Sequence, residues 1–239
     1  MIQIGKHQTL AILRDTRVGL FLGDGEGEEV LLPGKYRPEA FEIGDSLRVF
    51  CYLDNEQRPV ATTREPLIVR DTFAQLKVAE VNRYGAFLEW GLEKHLLVPF
   101  REQPLRMKKG EGHVVYCYLD PKSERLVASA RLDRFLDREK PEVRAGDEVS
   151  LLVWRDSPLG FEVVVENRYR GLVYHDQVFR PLKTGDQLRG YVQEVRPDHK
   201  LDIALEPLGH RKLEPAAARI LQVLQDAGGA LPLHDKSDP

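Results

Sequence analysis

The feature that most limits what this chain can fold into is a repeat. Gly19, Gly85 and Gly160 each follow a strand-like apolar run, and a leucine in a second apolar run comes twelve residues later, at Leu31, Leu97 and Leu172. Twenty-five residues after each glycine stands the glycine of a turn: Gly44-Asp45, Gly110-Glu111 and Gly185-Asp186. A further apolar run starts at once in every copy, over Leu47 to Leu53, His113 to Leu119 and Leu188 to Val195. Three registers that agree to the residue identify internal duplication, and a fixed period has to be read before any local signal. The chain is three copies of one small β module.

Within a copy the segments are short, rich in Val, Ile, Leu, Phe and Tyr, and separated by turn residues, which is an all-β pattern. Repeat two reads as strands over Ala74 to Val81, Ala86 to Trp90, Lys94 to Val98, Val114 to Leu119 and Arg125 to Ser129. The one long connection, Pro99 to Lys109, falls between strands three and four. Five strands arranged this way suit a small closed Greek-key barrel, because closure removes the exposed edges of an isolated sheet. The pattern lapses at Thr63 to Pro66 and at Arg131 to Lys140, which divides the chain into barrels over 1–65, 66–139 and 140–211. In the second gap, Leu132, Phe135 and Leu136 at helical spacing predict a short amphipathic linker helix ending before Pro141.

Residues 212–239 differ in kind. Pro215 marks a helix start, Ile220, Leu221 and Leu224 make an apolar stripe, and Gly228-Gly229 ends it. Ser237-Asp238-Pro239 is then a helix-start signal with no helix after it. The natural protein is therefore expected to continue beyond Pro239.

Composition narrows the function classes. No apolar run reaches the roughly 18 residues of a membrane span, and the Met1 to Lys6 stretch lacks the apolar core of a secretory signal, so a cytoplasmic protein is expected. The formal net charge is -3, yet the middle third alone is net basic, which leaves room for a local phosphate-binding face there. Cys51 and Cys117 hold the same place in repeats one and two and read as buried apolar side chains rather than a disulfide. The acidic hairpin Gly23 to Gly27 lacks the ligand spacing of a calcium loop. The seven histidines show no metal-ligand spacing, and neither a phosphate-cradling glycine loop nor a nucleophile elbow occurs. The chain is expected to be no enzyme and to carry no cofactor or metal.

The repeat resembles the S1 RNA-binding domain, an OB-fold barrel, across essentially all of residues 1–210. The likeness rests on Tyr84-Gly85-Ala86-Phe87-Leu88, on His95-Leu96-Leu97-Val98, on the Gly-Asp type of turn, and on Tyr118-Leu119-Asp120 before a final hairpin. The resemblance implies an RNA-facing patch made of two aromatics, a histidine, an Asp and a following Arg. In repeat two these positions hold Tyr84, Phe87, Asp120 and Arg125, with Pro99 where the histidine would stand. Repeat one offers Phe21, Asp54 and Arg58, with Val18 and Pro33 at the other two places. Repeat three has Leu159 and Glu162 instead of both aromatics but keeps Tyr174 at the histidine place, with Arg196 and Lys200. Bases of a single strand stack on exposed aromatic faces while Arg and Lys meet phosphates, so repeat two is the best preserved site. The basic run of Arg101, Arg106, Lys108 and Lys109 reads as a solvated loop.

Three such repeats followed by Gly229 to Pro239 also resemble the conserved virulence factor B family of bacterial proteins, in which three S1 domains precede a winged helix. The implied architecture is mainly β, with three tandem S1-type OB-fold five-stranded barrels and a partial winged-helix segment at the C-terminus. The implied function is binding of single-stranded RNA in post-transcriptional regulation, with the ribosome or RNA-processing proteins as further partners. The rival is a protein-interaction or ribosome-associated scaffold, because a fold of this type does not fix a function.

Overall fold

In the computed structural model, which describes residues 1–178 and 180–207, each repeat winds into its own closed five-stranded barrel. Barrel 1 consists of β1 (His7–Thr16), β2 (Gly19–Gly23), β3 (Glu29–Pro33), β4 (Ser46–Leu53) and β5 (Pro59–Thr62). Barrel 2 consists of β6 (Thr72–Asn82), β7 (Gly85–Glu89), β8 (Leu96–Pro99), β9 (Gly112–Leu119) and β10 (Leu126–Ser129). Barrel 3 consists of β11 (Glu148–Ser157), β12 (Gly160–Val165), β13 (Tyr169–Tyr174), β14 (Gln187–Val195) and β15 (Leu201–Ala204). The strand order is the same in all three: a meander of the first three strands, then the fifth, then the fourth, which pairs back to the first. The expected helix and winged-helix start over 212–239 lie outside the described residues. No helix among the described residues is long and apolar enough to cross a membrane.

The three landmarks of the repeat are the three closure points of the barrel. Gly19, Gly85 and Gly160 open the second strand at φ of +147, +153 and +157°. A Cβ there would stand 2.1, 2.2 and 2.1 Å from the carbonyl oxygens of Leu32, Val98 and Val173, so the facing strand leaves room for a hydrogen only. Leu31 and Leu97 sit in the short parallel pair of third and fifth strands (Leu31 with Val60, Leu97 with Val127), as does Leu172 with Asp202. The turn glycines make the third point. Gly44, Gly110 and Gly185 donate their N–H to the carbonyls of Ile12, Val78 and Val153, at 2.8, 2.9 and 2.7 Å. Those residues donate back to Asp45, Glu111 and Asp186. Each barrel's first strand carries a bulge immediately after this residue, at Leu13, Ala79 and Trp154, which bends the strand far enough to serve both neighbours. Fixed spacing in the chain is thus fixed geometry around the barrel.

Alternation along the strands fills each barrel from inside. Leu20, Leu22, Val30, Leu32 and Cys51 are buried in barrel 1, and Ala86, Leu88, Leu96, Val98 and Cys117 in barrel 2. The two cysteines are free thiols, and burial pushes each up to about 12. The acidic hairpin holds the N-terminal ammonium against Asp24 at 2.5 Å.

The outward faces are used as well. Phe50, Tyr52 and Val60 point away from the interior of barrel 1 and join the core of barrel 2 through Trp90. The indole meets the ring of Phe50 edge-on at 5.8 Å and that of Tyr52 at 6.4 Å, and its N–H donates to the Lys94 carbonyl. Lys94 closes the junction by donating to the carbonyls of Leu53 and Asp54, at 3.1 and 2.8 Å, while Lys35 pairs with Glu93. Barrel 2 repeats the arrangement toward barrel 3. Phe73, Val114, Leu132, Leu136, Leu152, Trp154 and Val164 form one cluster, with Tyr116 stacked on Phe135 at 4.3 Å. Asn167, at a φ of +54° that Asn tolerates, accepts from the Phe73 N–H and donates to the Asp71 carbonyl.

The expected helix over 131–140 is corrected by the structure, which has a single 3₁₀ turn at Leu132–Arg134. Leu132 and Leu136 are buried, as their spacing implied, but they serve the junction between barrels rather than a helix face. A helix this short does not recover its nucleation cost. Instead the Asp137 N–H donates to the Arg168 carbonyl and its carboxylate holds the Arg168 guanidinium, both at 2.9 Å, pulling the chain onto barrel 3.

Candidate nucleic-acid interface

On barrel 2 the residues between the buried positions face outward and line up across strands. Phe87 pairs with Leu97, Leu97 with Val127, which is itself covered, and Val127 with Tyr118, which makes an apolar row around the barrel. Tyr84 stands beside it in the β6–β7 turn, where Asn82 accepts its backbone N–H and fixes the turn. Tyr84 is 58 % exposed; Arg83 lies 4.8 Å from its ring centroid and donates to its hydroxyl. This face forms one wall of a cleft of about 580 Å³. Tyr84, Phe87, Lys94, Leu97 and Arg125 come from barrel 2, and Leu53, Asn55 and Gln57 from the β4–β5 hairpin of barrel 1.

The structure therefore brings Tyr84, Phe87 and Arg125 together. Arg125 donates from Nε to Oε1 of Gln57 at 2.7 Å, a neutral partner, and among the described residues it has no carboxylate within ion-pair distance. Asp120 does not line the cleft. It accepts from Ser123, faces Arg101 at 3.6 Å, and closes the hairpin by donating its backbone N–H to the Arg125 carbonyl. Its part is to shape the turn that presents Arg125. Of the basic run, Arg106 lies over the Phe100 ring at 3.8 Å, on the long connection.

The matching residues of the other barrels are already engaged. In barrel 1, Arg14 covers the Phe21 ring at 4.0 Å and is itself paired with Glu29. Arg58 forks onto Asp54 at 2.9 and 2.7 Å and also meets Glu56. Burial works against the Asp54 carboxylate, but hydrogen bonds from the Arg58 backbone, the Arg58 guanidinium and the Glu56 backbone hold it below its usual range. Val18, at the place of Tyr84, is 61 % exposed and offers no ring. In barrel 3, Arg196 donates to the Tyr174 hydroxyl at 2.6 Å, which joins two of the expected residues, yet its charge is matched by Asp202. Lys200 is paired with Asp198. Leu159 is exposed, and Glu162 takes both Arg155 and Arg170.

Reading the sequence missed Lys94, Asn55 and Gln57. Burial, with the nearby charge of Arg125 acting the same way, lowers the Lys94 pKa, and Asp54 opposes it. Nothing in the spacing of repeat two signals Asn55 or Gln57, because both belong to the preceding barrel.

The chain is similar to several known proteins. The S1 domain family matches residues 4–64. The uncharacterized protein YitL of Bacillus subtilis (strain 168) is 27% identical over 242 residues, covering 98% of this chain and 81% of its own. Conserved virulence factor B of Staphylococcus epidermidis (strain ATCC 12228 / FDA PCI 1200) is 23% identical over 206 residues, covering 83% and 69%. A crystal structure of a multidomain protein with nucleic acid binding domains from Streptococcus pneumoniae TIGR4 aligns with 99% of this chain and 85% of its own, at 26% identity and a TM-score of 0.48. Three barrels of one topology in tandem, an S1 domain match over the first of them and these relatives along most of the chain support a conserved virulence factor B-like S1 protein.

Proposed function

We propose that this protein binds single-stranded RNA, chiefly on the outer face of barrel 2, and acts in the cytoplasm on gene expression after transcription, as a binding protein and not an enzyme. One observation carries the reading. Among the described residues, only repeat two has an exposed aromatic, Tyr84, lining one cleft with a second ring, Phe87, and an arginine, Arg125, whose charge no described carboxylate neutralises. Stacking on such rings contributes about 1–3 kcal/mol per base, and an uncommitted guanidinium is what a phosphate requires.

Fluorescence anisotropy of the whole chain with short single-stranded RNA, at low and moderate salt and with duplex RNA as control, tests this. Saturable, salt-sensitive binding to single strands that falls at least tenfold in a folded Tyr84→Ala/Phe87→Ala variant supports the assignment. Equal affinity for duplex, or no effect of the double substitution, refutes it. The occupied patches of barrels 1 and 3 favour a second role for those modules, that of a frame or a docking surface for protein partners such as the ribosome. In that case single-strand binding survives removal of the charges at Arg58 and Arg196.

A further inference from the structure

The cleft beside Tyr84 and Phe87 has walls from two barrels, and the wall from barrel 1 carries polar groups with hydrogen-bonding capacity to spare. Asn55 is exposed in the β4–β5 turn, and its side chain has no hydrogen-bond partner among the described residues. Gln57 lies two residues on, at a φ of +68°, and its amide orientation is determined by chemistry. Arg125 Nε–H can only donate, so the Gln57 atom it meets at 2.7 Å is the oxygen, and the Nε2 amide hydrogens are left over. The hairpin is held in place from the other side. Lys94 of barrel 2 binds the carbonyls of Leu53 and Asp54, and Trp90 packs on Tyr52 at its root. The cleft is therefore lined by two side-chain amides and two aromatic rings.

We propose that this inter-barrel cleft is a base-reading pocket. One nucleobase of the strand that stacks on Tyr84 and Phe87 enters it, and the Asn55 and Gln57 amides hydrogen-bond to the base edge while Arg125 holds the adjoining phosphate. The inference rests on the single-strand reading of barrel 2 and extends it from affinity to sequence preference. The Asn55 amide offers a donor and an acceptor and the Gln57 amide its Nε2 hydrogens, so together they can discriminate between base edges, whereas ring stacking is tolerant of sequence. Charge fits as well, since Glu93 on the rim is paired with Lys35, leaving Lys94 and Arg125 against Glu80.

The test compares three forms of the whole chain against short fluorescent homopolymers of uridine, adenosine and cytidine. The forms are the parent, Asn55→Ala/Gln57→Gly, and Tyr84→Ala/Phe87→Ala; glycine is chosen at position 57 because it accepts the left-handed backbone. Asn55→Ala alone separates base reading from the lost Gln57–Arg125 bond. The expected result is a parent that prefers one homopolymer. The Asn55 and Gln57 changes then weaken that oligomer about tenfold and bring the three affinities together, and Asn55→Ala alone moves the preference the same way. Ultraviolet cross-links from a single RNA should fall on both the 53–58 hairpin and the Tyr84–Phe87 face. If Tyr84→Ala/Phe87→Ala weakens binding but the barrel 1 variants leave affinity and preference unchanged, the shared pocket is wrong and the stacking reading stands. If the parent binds no single strand, both are overturned.

Discussion

Trp90→Ala removes a side chain that joins the core of barrel 2 to Phe50 and Tyr52 on the outer face of barrel 1. The indole is 2 % exposed, meets Phe50 and Tyr52 edge-on, and donates to the Lys94 carbonyl. Truncating a fully buried Trp costs about 3–5 kcal/mol, of which each edge-on pair accounts for about 0.5–1.5 kcal/mol beyond burial. The substitution also deprives the Lys94 carbonyl of its donor, next to the two bonds through which Lys94 grips the β4–β5 hairpin. A loss of that size is a large share of the roughly 5–15 kcal/mol that holds a domain folded. It falls on the junction, so barrel 1 should come loose before barrel 3 does. Trp154, the chain's second tryptophan, sits at the other junction and remains as a local probe. Urea unfolding of the variant, followed in parallel by far-ultraviolet circular dichroism and by fluorescence, should show an early dichroic phase. The Trp154 signal should keep close to its original midpoint. Trp90→Phe, which retains a ring, should recover most of the loss. A single coincident transition shifted by less than about 1 kcal/mol would refute the claim that Trp90 couples the barrels.

Other outcomes follow from the same geometry. Gly85→Ala should destabilise by more than about 4 kcal/mol, because the added Cβ meets the Val98 carbonyl oxygen at 2.2 Å. Gly44→Ala, with open space around it and only a φ of +97° to oppose it, should lose about 1–2 kcal/mol by the same thermal or urea assay. Cys51 and Cys117 rise from 9.0, and Tyr52 from 10.0, to about 12 on burial. Their folded-state values lie above the unfolded ones, so the stability they contribute is complete below pH 9.0 and declines as pH climbs toward about 12. A Cys51→Ala/Cys117→Ala variant should therefore begin its alkaline unfolding at higher pH in a pH titration of melting temperature. For RNA binding, Arg125→Ala should reduce the slope of log affinity against log salt by about 0.7, the share of one phosphate of a single strand. Arg58→Ala should leave that slope unchanged, because Asp54 and Glu56 already hold its guanidinium.

Much of the architecture is legible in the amino-acid string because the closure of each barrel depends on backbone. Gly85 must be glycine where Val98 leaves no room, and Gly110 must reach the Val78 carbonyl across the bulge, so the same letters return at the same intervals. Strand alternation likewise separates Ala86 and Leu88 inside from Phe87 outside. The site is less legible because its quality is decided by neighbours far along the chain. Arg58 and Arg125 stand in comparable final hairpins, yet one faces Asp54 of its own turn and the other Gln57 of the preceding barrel, 68 positions away. Spacing cannot report that difference, nor that Tyr52 and Val60 are covered while Tyr84 is open. The stretch 131–140 shows the same limit. Leu132, Phe135 and Leu136 have helical spacing, but they pack together into the junction between two barrels, and the backbone follows that docking instead of a helix.

The way each barrel lends an outer face to the next has an evolutionary consequence. Phe50 and Tyr52 of the first module are suited to receive Trp90 of the second, and Tyr116 of the second to receive Phe135 and its neighbours ahead of the third. The stack therefore has a direction, like words in a phrase, although the modules began as duplicates. Exchanging two of them, or deleting the middle one, would expose aromatic rings that now have partners and would dismantle a cleft whose walls lie in different modules. Copies that were once interchangeable have become fixed in sequence, so variation in such an array is expected to run along the modules by substitution and seldom between them by shuffling.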